Sequence, residues 1–328
     1  MEPSLSRWKK LAFGTKKMRG FILRRFFTSI IVLIGATMVI FALSRLLSDP
    51  KQLLLPEDAY GITQEMLDEL EAQLNLDKPV PVQYAYWLWD LMRLDLGRDL
   101  ADRQLIAPRL PGKIAPTVNL ALASWILATL VGIPLGVLAA VKRGSVWDYS
   151  GRIFALLGQT LPTFWVGIIL ILVFAVWFNW LPAGTMGEGF SIKNWVLPVV
   201  TLSWLGAAGY MRIMRSAVLE VLDSEFVKLA RTKGVTNNMV IWKHAVQNAM
   251  IAPLTLSGLL LAGFITGSVS VEVVFGWPGL ARYAVEAVWT NNFTVLVVVT
   301  LLFTFGFVLI NFITDILYAI IDPRIRLT

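Results

Sequence analysis

Cysteine is absent from the 328 residues, and histidine occurs once, at His244. The first absence excludes a disulfide framework, a thiolate nucleophile and a thiolate metal site. A single imidazole excludes a multi-histidine metal centre, and its plainest role is a local hydrogen bond or packing contact. Charge is scarce too: Asp, Glu, Lys and Arg make up 16% of the chain against 56% hydrophobic residues, where soluble domains carry about 25% charged residues. A Gly-x-x-x-x-Gly-Lys-Ser/Thr phosphate loop is also missing. Gly14 to Lys17 and Gly132 to Gly136 have neither its spacing nor its setting. No catalytic, cofactor-binding or metal-binding constellation emerges, and the chain is expected not to be an enzyme.

What the chain has is long runs without charge. They are Phe26–Ser44, Ile114–Val141, Ile153–Gly187, Asn194–Met211, Ala245–Val271 and Ala287–Thr314. A charge at mid-membrane costs about 2.5–3.5 kcal/mol on the insertion scale, and about 20 residues are needed to cross, so these runs predict six transmembrane helices. The third accommodates one helix and an external turn around Asn179 to Pro182. The fourth is short by itself, and its helix is expected to continue through Arg212 and Arg215. The first is too long for a secretory h-region, which spans about 7–15 residues, and reads as a retained span.

Charge then orients the bundle. With both ends inside, the inner segments 1–25, 142–152, 212–244 and 315–328 hold 19 Lys or Arg and seven acids; the outer segments hold nine and fifteen. This is the positive-inside pattern. The formal net charge of +7 therefore belongs to topology, and no nucleic-acid partner is expected. The expected organisation is a basic cytoplasmic segment 1–25, a first span 26–47, an extracytoplasmic segment 48–113, a core of helices two to six over 114–320 and a cytoplasmic end 321–328.

Two polar segments stand out. In the outer one, Asp58 to Leu76 has the spacing of a short amphipathic helix, and Tyr84 to Trp89 has the aromatics favoured at a membrane face. A folded cap and a surface for an extracellular donor protein are both open readings. In the inner one, Val221, Leu222, Phe226, Leu229 and Ala230 fall at helical spacing. Gly234 is placed to end that helix in the left-handed region, and Asn237 and Asn238 are candidate caps for a second helix. Such a projection suits docking to a partner; a solvated connector is the plainer alternative.

The run from Asp223 to Gly234, followed by Lys243 to Pro253, resembles the EAA region of ABC importer permeases, closest to the dipeptide/oligopeptide/nickel class and its first permease subunit. Lys228, Leu229 and Ala230 occupy the Glu-Ala-Ala positions, and Gly234 is the motif glycine. Phe21 to Arg25, Leu76 to Tyr84, Trp87, Trp89, Leu94 to Gly97, Pro162 to Trp165, Trp180 to Gly184, Val271 to Gly279 and Asp315 to Arg324 extend the likeness, in order, over about 300 residues. Departures fall on the outer half. Asn75 stands where glycine is common, Leu94 where a Gly-Asp pair is usual, Ala281 where glycine is frequent, and Asn291-Asn292 where Arg-Asp is often seen.

The resemblance implies an all-α polytopic membrane protein of type I ABC importer architecture in the bacterial inner membrane. Its loop 220–250 would be the coupling element, with Glu225, Lys228, Leu229, Ala230, Gly234, His244 and Asn248 facing the ATPase. It further implies a second homologous permease, two ATPase subunits that bind ATP and Mg, an extracytoplasmic solute-binding protein and surrounding lipid. The substrate would be a dipeptide or oligopeptide, with nickel complexes and short oligosaccharides as alternatives. Pro162, Pro198 and Pro253 mark candidate pore-lining spans. Glu272 and Glu286 are candidates for contacting solute or for vestibule salt bridges. An ion-coupled secondary transporter would place ionisable groups near mid-membrane, which these spans lack; a membrane scaffold is the other alternative.

Overall fold

The computed structural model describes residues 4–47, 77–100, 102–187 and 191–321. The expected amphipathic helix 58–76 and Asn75 lie outside them. The described elements are helices, with one isolated bridge between Arg98 and Leu105. They are α1 (Ser4–Leu47), α2 (Val80–Met92), α3 (Leu110–Val141), α4 (Val146–Thr160), α5 (Thr163–Trp177), α6 (Ile192–Leu222), α7 (Glu225–Thr232), α8 (Asn237–Ala249), α9 (Ile251–Gly267), α10 (Val269–Val274), α11 (Leu280–Trp289) and α12 (Phe293–Ile321). Among the described residues four helical stretches are long and apolar enough to cross a membrane: Met18–Leu46, Ala107–Val141, Ile192–Leu222 and Phe293–Ala319. Counting α4 with α5 and α8 with α9 as broken spans gives up to six.

The third span differs most from its expected form. It is two helices bent by 109° at a short break, and the cause is local. Pro162 has no N–H to continue the ladder and pushes Leu161 out of helical conformation, to ψ 129. Beyond the break, Ile171–Trp177 is wound as π-helix. The α8–α9 pair bends more gently, by 45°. As expected, α6 runs on through Arg212 and Arg215 to Leu222.

The chain divides into two compact units, Met1–Ile114 with Tyr283–Thr328, and Ala115–Arg282. In the first, α1 packs along α12. Phe26 meets Phe312 edge-on at 6.3 Å, and Arg25 pairs with Asp315. Tyr84 and Trp87 of α2 lie against Phe41 of α1, with ring centroids 5.5 and 5.4 Å away, and the Tyr84 hydroxyl is 2.8 Å from that of Thr37. Tyr86 and Trp89 stay exposed under Lys78 and Arg93. Leu94 follows at φ 61. This left-handed conformation costs a residue with a Cβ about 1–2 kcal/mol, which is why glycine suits the position.

The second unit is built on small residues. A Cβ on Gly132 would sit 2.5 Å from the Ala207 carbonyl oxygen, and one on Gly136 would sit 2.7 Å from that of Met211. The glycines of α3 are thus the seam along which two backbones touch, in the small-xxx-small manner of membrane helices. Gly151 and Gly158 do the same for α4, where added Cβ atoms would meet Met211 Cε at 2.4 Å and Ala208 Cβ at 2.3 Å. Tyr210, Phe264, Phe275 and Trp277 fill the space between the helices.

Three outcomes are expected from thermal unfolding in detergent. Gly136→Val destabilises by about 3 kcal/mol through overpacking, whereas Gly263→Ala, where a Cβ meets nothing within 4 Å, stays near the parent. Leu94→Gly stabilises by about 1 kcal/mol through relief of the left-handed strain.

Candidate functional site

The 220–250 loop is a helix, a glycine turn and a second helix. Ser224 occupies the N-cap position of α7, in extended conformation. Gly234 ends it at φ +77. The Gly234 N–H donates to the Arg231 carbonyl at 3.0 Å, and the Val235 N–H donates to the Ala230 carbonyl at 3.2 Å. This pair of bonds is the Schellman arrangement, which satisfies the last carbonyls of a helix and requires a left-handed residue at the glycine. Ala230 and Gly234 therefore act together through their backbones. The cap of α8 is Thr236, with Asn237 already its first helical residue and no side-chain bond from any cap. Neither asparagine caps it: Thr236 takes up the extended conformation that a helix entry needs.

Val227 of α7 and Val240 of α8 are completely buried, and they fix the projection to the unit. The opposite side is open. Phe226 is 48% exposed, Leu229 55%, Met239 48% and Trp242 60%, an unusual concentration of large apolar side chains on a polar loop. Glu225 and Lys228 form an exposed ion pair at 2.8 Å; such a pair is worth little to stability. On α8, the Asn248 side-chain amide donates to the His244 carbonyl at 2.6 Å. Glu225, Lys228, Leu229, Ala230 and Gly234 thus share α7 and its turn, while His244 and Asn248 lie on the next helix.

Pro162 is exposed at the α4–α5 break, while Pro198 and Pro253 are buried inside α6 and α9. Glu286 is half-buried on α11.

Glu272, on α10 just beyond the α9 span, has no exposed surface. Its Oε1 accepts from the Thr117 hydroxyl at 2.7 Å and the Ser268 hydroxyl at 2.8 Å, and its Oε2 accepts from the Arg282 N–H at 2.9 Å. Thr117 in turn accepts from the Leu280 N–H at 2.7 Å. Burial pushes the Glu272 carboxyl above its usual range, and the donors around it pull the other way. The carboxylate is a structural knot that folds the Val271–Gly279 turn, and it presents no oxygen to a vestibule. Trp277 closes the same turn, fully buried, with its indole N–H donating to the Pro116 carbonyl at 3.1 Å and its ring edge-on to Trp195.

In the other unit Asp99, 5% exposed, is a second knot. It accepts from Arg109 and from the Tyr283 hydroxyl, each at 3.1 Å, and from the Asn292 amide. Burial together with the neighbouring Asp99 carboxylate pushes the Tyr283 phenol up to about 12. Neither Asp99 nor Tyr283 had a local motif to single it out.

Residues 132–327 match the family described as the binding-protein-dependent transport system inner membrane component, and residues 18–111 match the N-terminal region of such membrane components. The chain belongs to this family. It is a multi-pass inner membrane protein and a permease subunit of an ABC transporter. Among its relatives, a putative peptide permease protein of Brucella suis is 36% identical over 324 residues, covering 95% of this chain and 100% of the relative. The dipeptide transport system permease protein DppB of Escherichia coli K12 is 34% identical over 338 residues, covering 94% and 99%. The fold is shared with an inward-facing structure of the MetNI methionine ABC transporter, at a TM-score of 0.55 and 18% identity, over 65% of this chain and 96% of that one.

Replacing Glu272 with alanine leaves two hydroxyls and a backbone N–H without their acceptor, so this permease is expected to lose about 2–3 kcal/mol. Thermal unfolding in detergent measures it.

Proposed function

We propose that this chain is the peptide-translocating subunit of a binding-protein-dependent importer, driven by ATPases that dock on its 220–250 loop. The observation that carries the docking is the open apolar side of α7 and α8, with Phe226, Leu229, Met239 and Trp242 exposed beside a rigid glycine turn. Soluble surfaces rarely leave large apolar side chains clustered unless a partner covers them. The peptide substrate is supported by two relatives at 36% and 34% identity, one a putative peptide permease and the other a dipeptide permease.

In this reading two cytoplasmic ATPase subunits bind ATP and Mg, and this chain contributes no group to hydrolysis. A second homologous permease completes the pore, and an extracytoplasmic binding protein delivers the peptide. Both ends of the chain lie in the cytoplasm, as the 19 basic residues of the inner segments favour. ATPase closure displaces α7, and the bundle alternates between outward-facing and inward-facing states.

Gly234→Val tests the docking site cleanly. A Cβ there meets nothing within 4 Å, yet the backbone sits at φ +77, so the substitution strains the turn without a clash. A β-branched residue in that region costs at least 1–2 kcal/mol, which corresponds to about a tenfold loss of ATPase association. Co-purification with the ATPases and uptake of a labelled dipeptide both read it. Undiminished ATPase association in the variant would sink the assignment.

A further inference from the structure

Asp148 is a charged residue that the transport reading leaves unused. Its side chain is fully buried at the start of α4. The carboxylate accepts from both prongs of Arg215 on α6, at 2.7 and 3.1 Å, and from two nitrogens of Arg152 on its own helix, at 3.1 and 2.7 Å. A fifth bond comes from the Gly144 N–H at 2.9 Å, where the chain turns at φ +77 between α3 and α4. One carboxylate therefore joins the α3–α4 turn, α4 and α6.

Burying such a cluster is a poor route to stability, since well-packed apolar residues of similar volume often do as well or better. What the cluster adds is direction. Elsewhere α4 meets α6 through small residues, Gly151 against Met211 and Gly158 against Ala208, with Phe154 edge-on to Trp204 at 4.8 Å and an exposed hydrogen bond from Arg212 to Gln159. The small residues offer little against sliding along the helix axes, and the ring pair and the Arg212 bond lie farther along α4 from the turn that Asp148 joins. A two-pronged guanidinium grip holds only at one register. Arg215 also lies seven residues before Leu222, where α6 hands over through Asp223 and Ser224 to α7. At its other end α4 leads to the sharp break at Leu161 and Pro162.

We infer that Asp148 is a positioning residue for transport. By gripping Arg215 it pins α4 to one register on α6, so that displacement of α7 reaches the α4–α5 bend instead of being lost as sliding along the glycine seam. The inference rests on α7 being the element that the ATPases move.

The test uses the complete transporter, reconstituted in liposomes with its binding protein, and compares Asp148→Asn and Arg215→Lys with the parent. The readouts are assembly, ATP hydrolysis and dipeptide imported per ATP hydrolysed. Arg215→Lys keeps the charge and removes the two-pronged grip. Both variants are expected to assemble and hydrolyse ATP, with import per ATP reduced about tenfold through loss of the grip. A parental ratio in either variant overturns the inference, as does a proportional fall of uptake and hydrolysis. If Asp148→Asn does not assemble, Arg215→Lys decides by the same ratio. Failure of both to assemble assigns the cluster to folding alone and equally overturns it. Gly234→Val keeps the two readings apart. Normal ATPase association in that variant removes the docking site, whereas its loss beside an unchanged ratio in Arg215→Lys removes only the pin.

Discussion

The contact of α3 with α6 at backbone distance is the constraint on which the unit 115–282 depends. Lipid gives helices no hydrophobic reason to associate, so close packing must supply the attraction. Gly132 and Gly136 provide it by admitting the Ala207 and Met211 carbonyls to where a side chain would stand. Once α3 and α6 are that close, there is room between them only for small groups. Tyr210, Phe264 and Trp277 then fill the flanks. The same economy holds α4 on α6 through Gly151 and Gly158.

Packing of this kind leaves a deficit of polar restraint, and the unit meets it most strongly at the two ends of α3. Near its beginning, Thr117 ties to Glu272 and through it to the turn that carries Trp277. Beyond its end, Asp148 gathers Arg152, Arg215 and the Gly144 N–H. Both carboxylates are fully buried and have their lone pairs engaged. An unpaired buried charge would cost several kcal/mol, so each knot has to be complete to exist at all. Between these ends, Trp125 of α3 and the Tyr210 hydroxyl of α6 share Ser257 of α9 as a lighter polar tie.

Much of this was legible in the sequence, because its cause is local. Charge-free runs mark spans, and Gly234 marks the end of α7; the apolar spacing of Phe226 and Leu229 marks a helix there, although the structure buries Val227 and leaves those two open. The resemblance to the importer permeases carried what composition alone does not, namely the class of transporter. What escaped has causes spread across the chain. Pro162 is one proline among several in long apolar runs, and nothing in the run itself distinguishes the proline at a break of 109° from Pro198, which is absorbed inside α6. Glu272 reads as a vestibule residue because it follows a span, and its donors come from as far away as Thr117. Asp148 stands in the sequence only as one of seven acids on the basic inner side. Its chief partner is 67 residues distant.

The departures on the outer half take on a physical sense of their own. Leu94 keeps the left-handed turn that glycine would hold without strain. Asn291 is also left-handed, at φ 52, and turns the chain from α11 into α12. Asn292 accepts from the Val295 N–H at 3.3 Å through its carbonyl oxygen and donates to Asp99 through its amide. An aspartate carboxylate could accept from the same helix end but has no N–H to offer Asp99, and two carboxylates would then face each other in a buried place. The amide is therefore matched to Asp99 and Arg109 within the knot. The Asn292 exchange is thus matched to local charge balance within the knot.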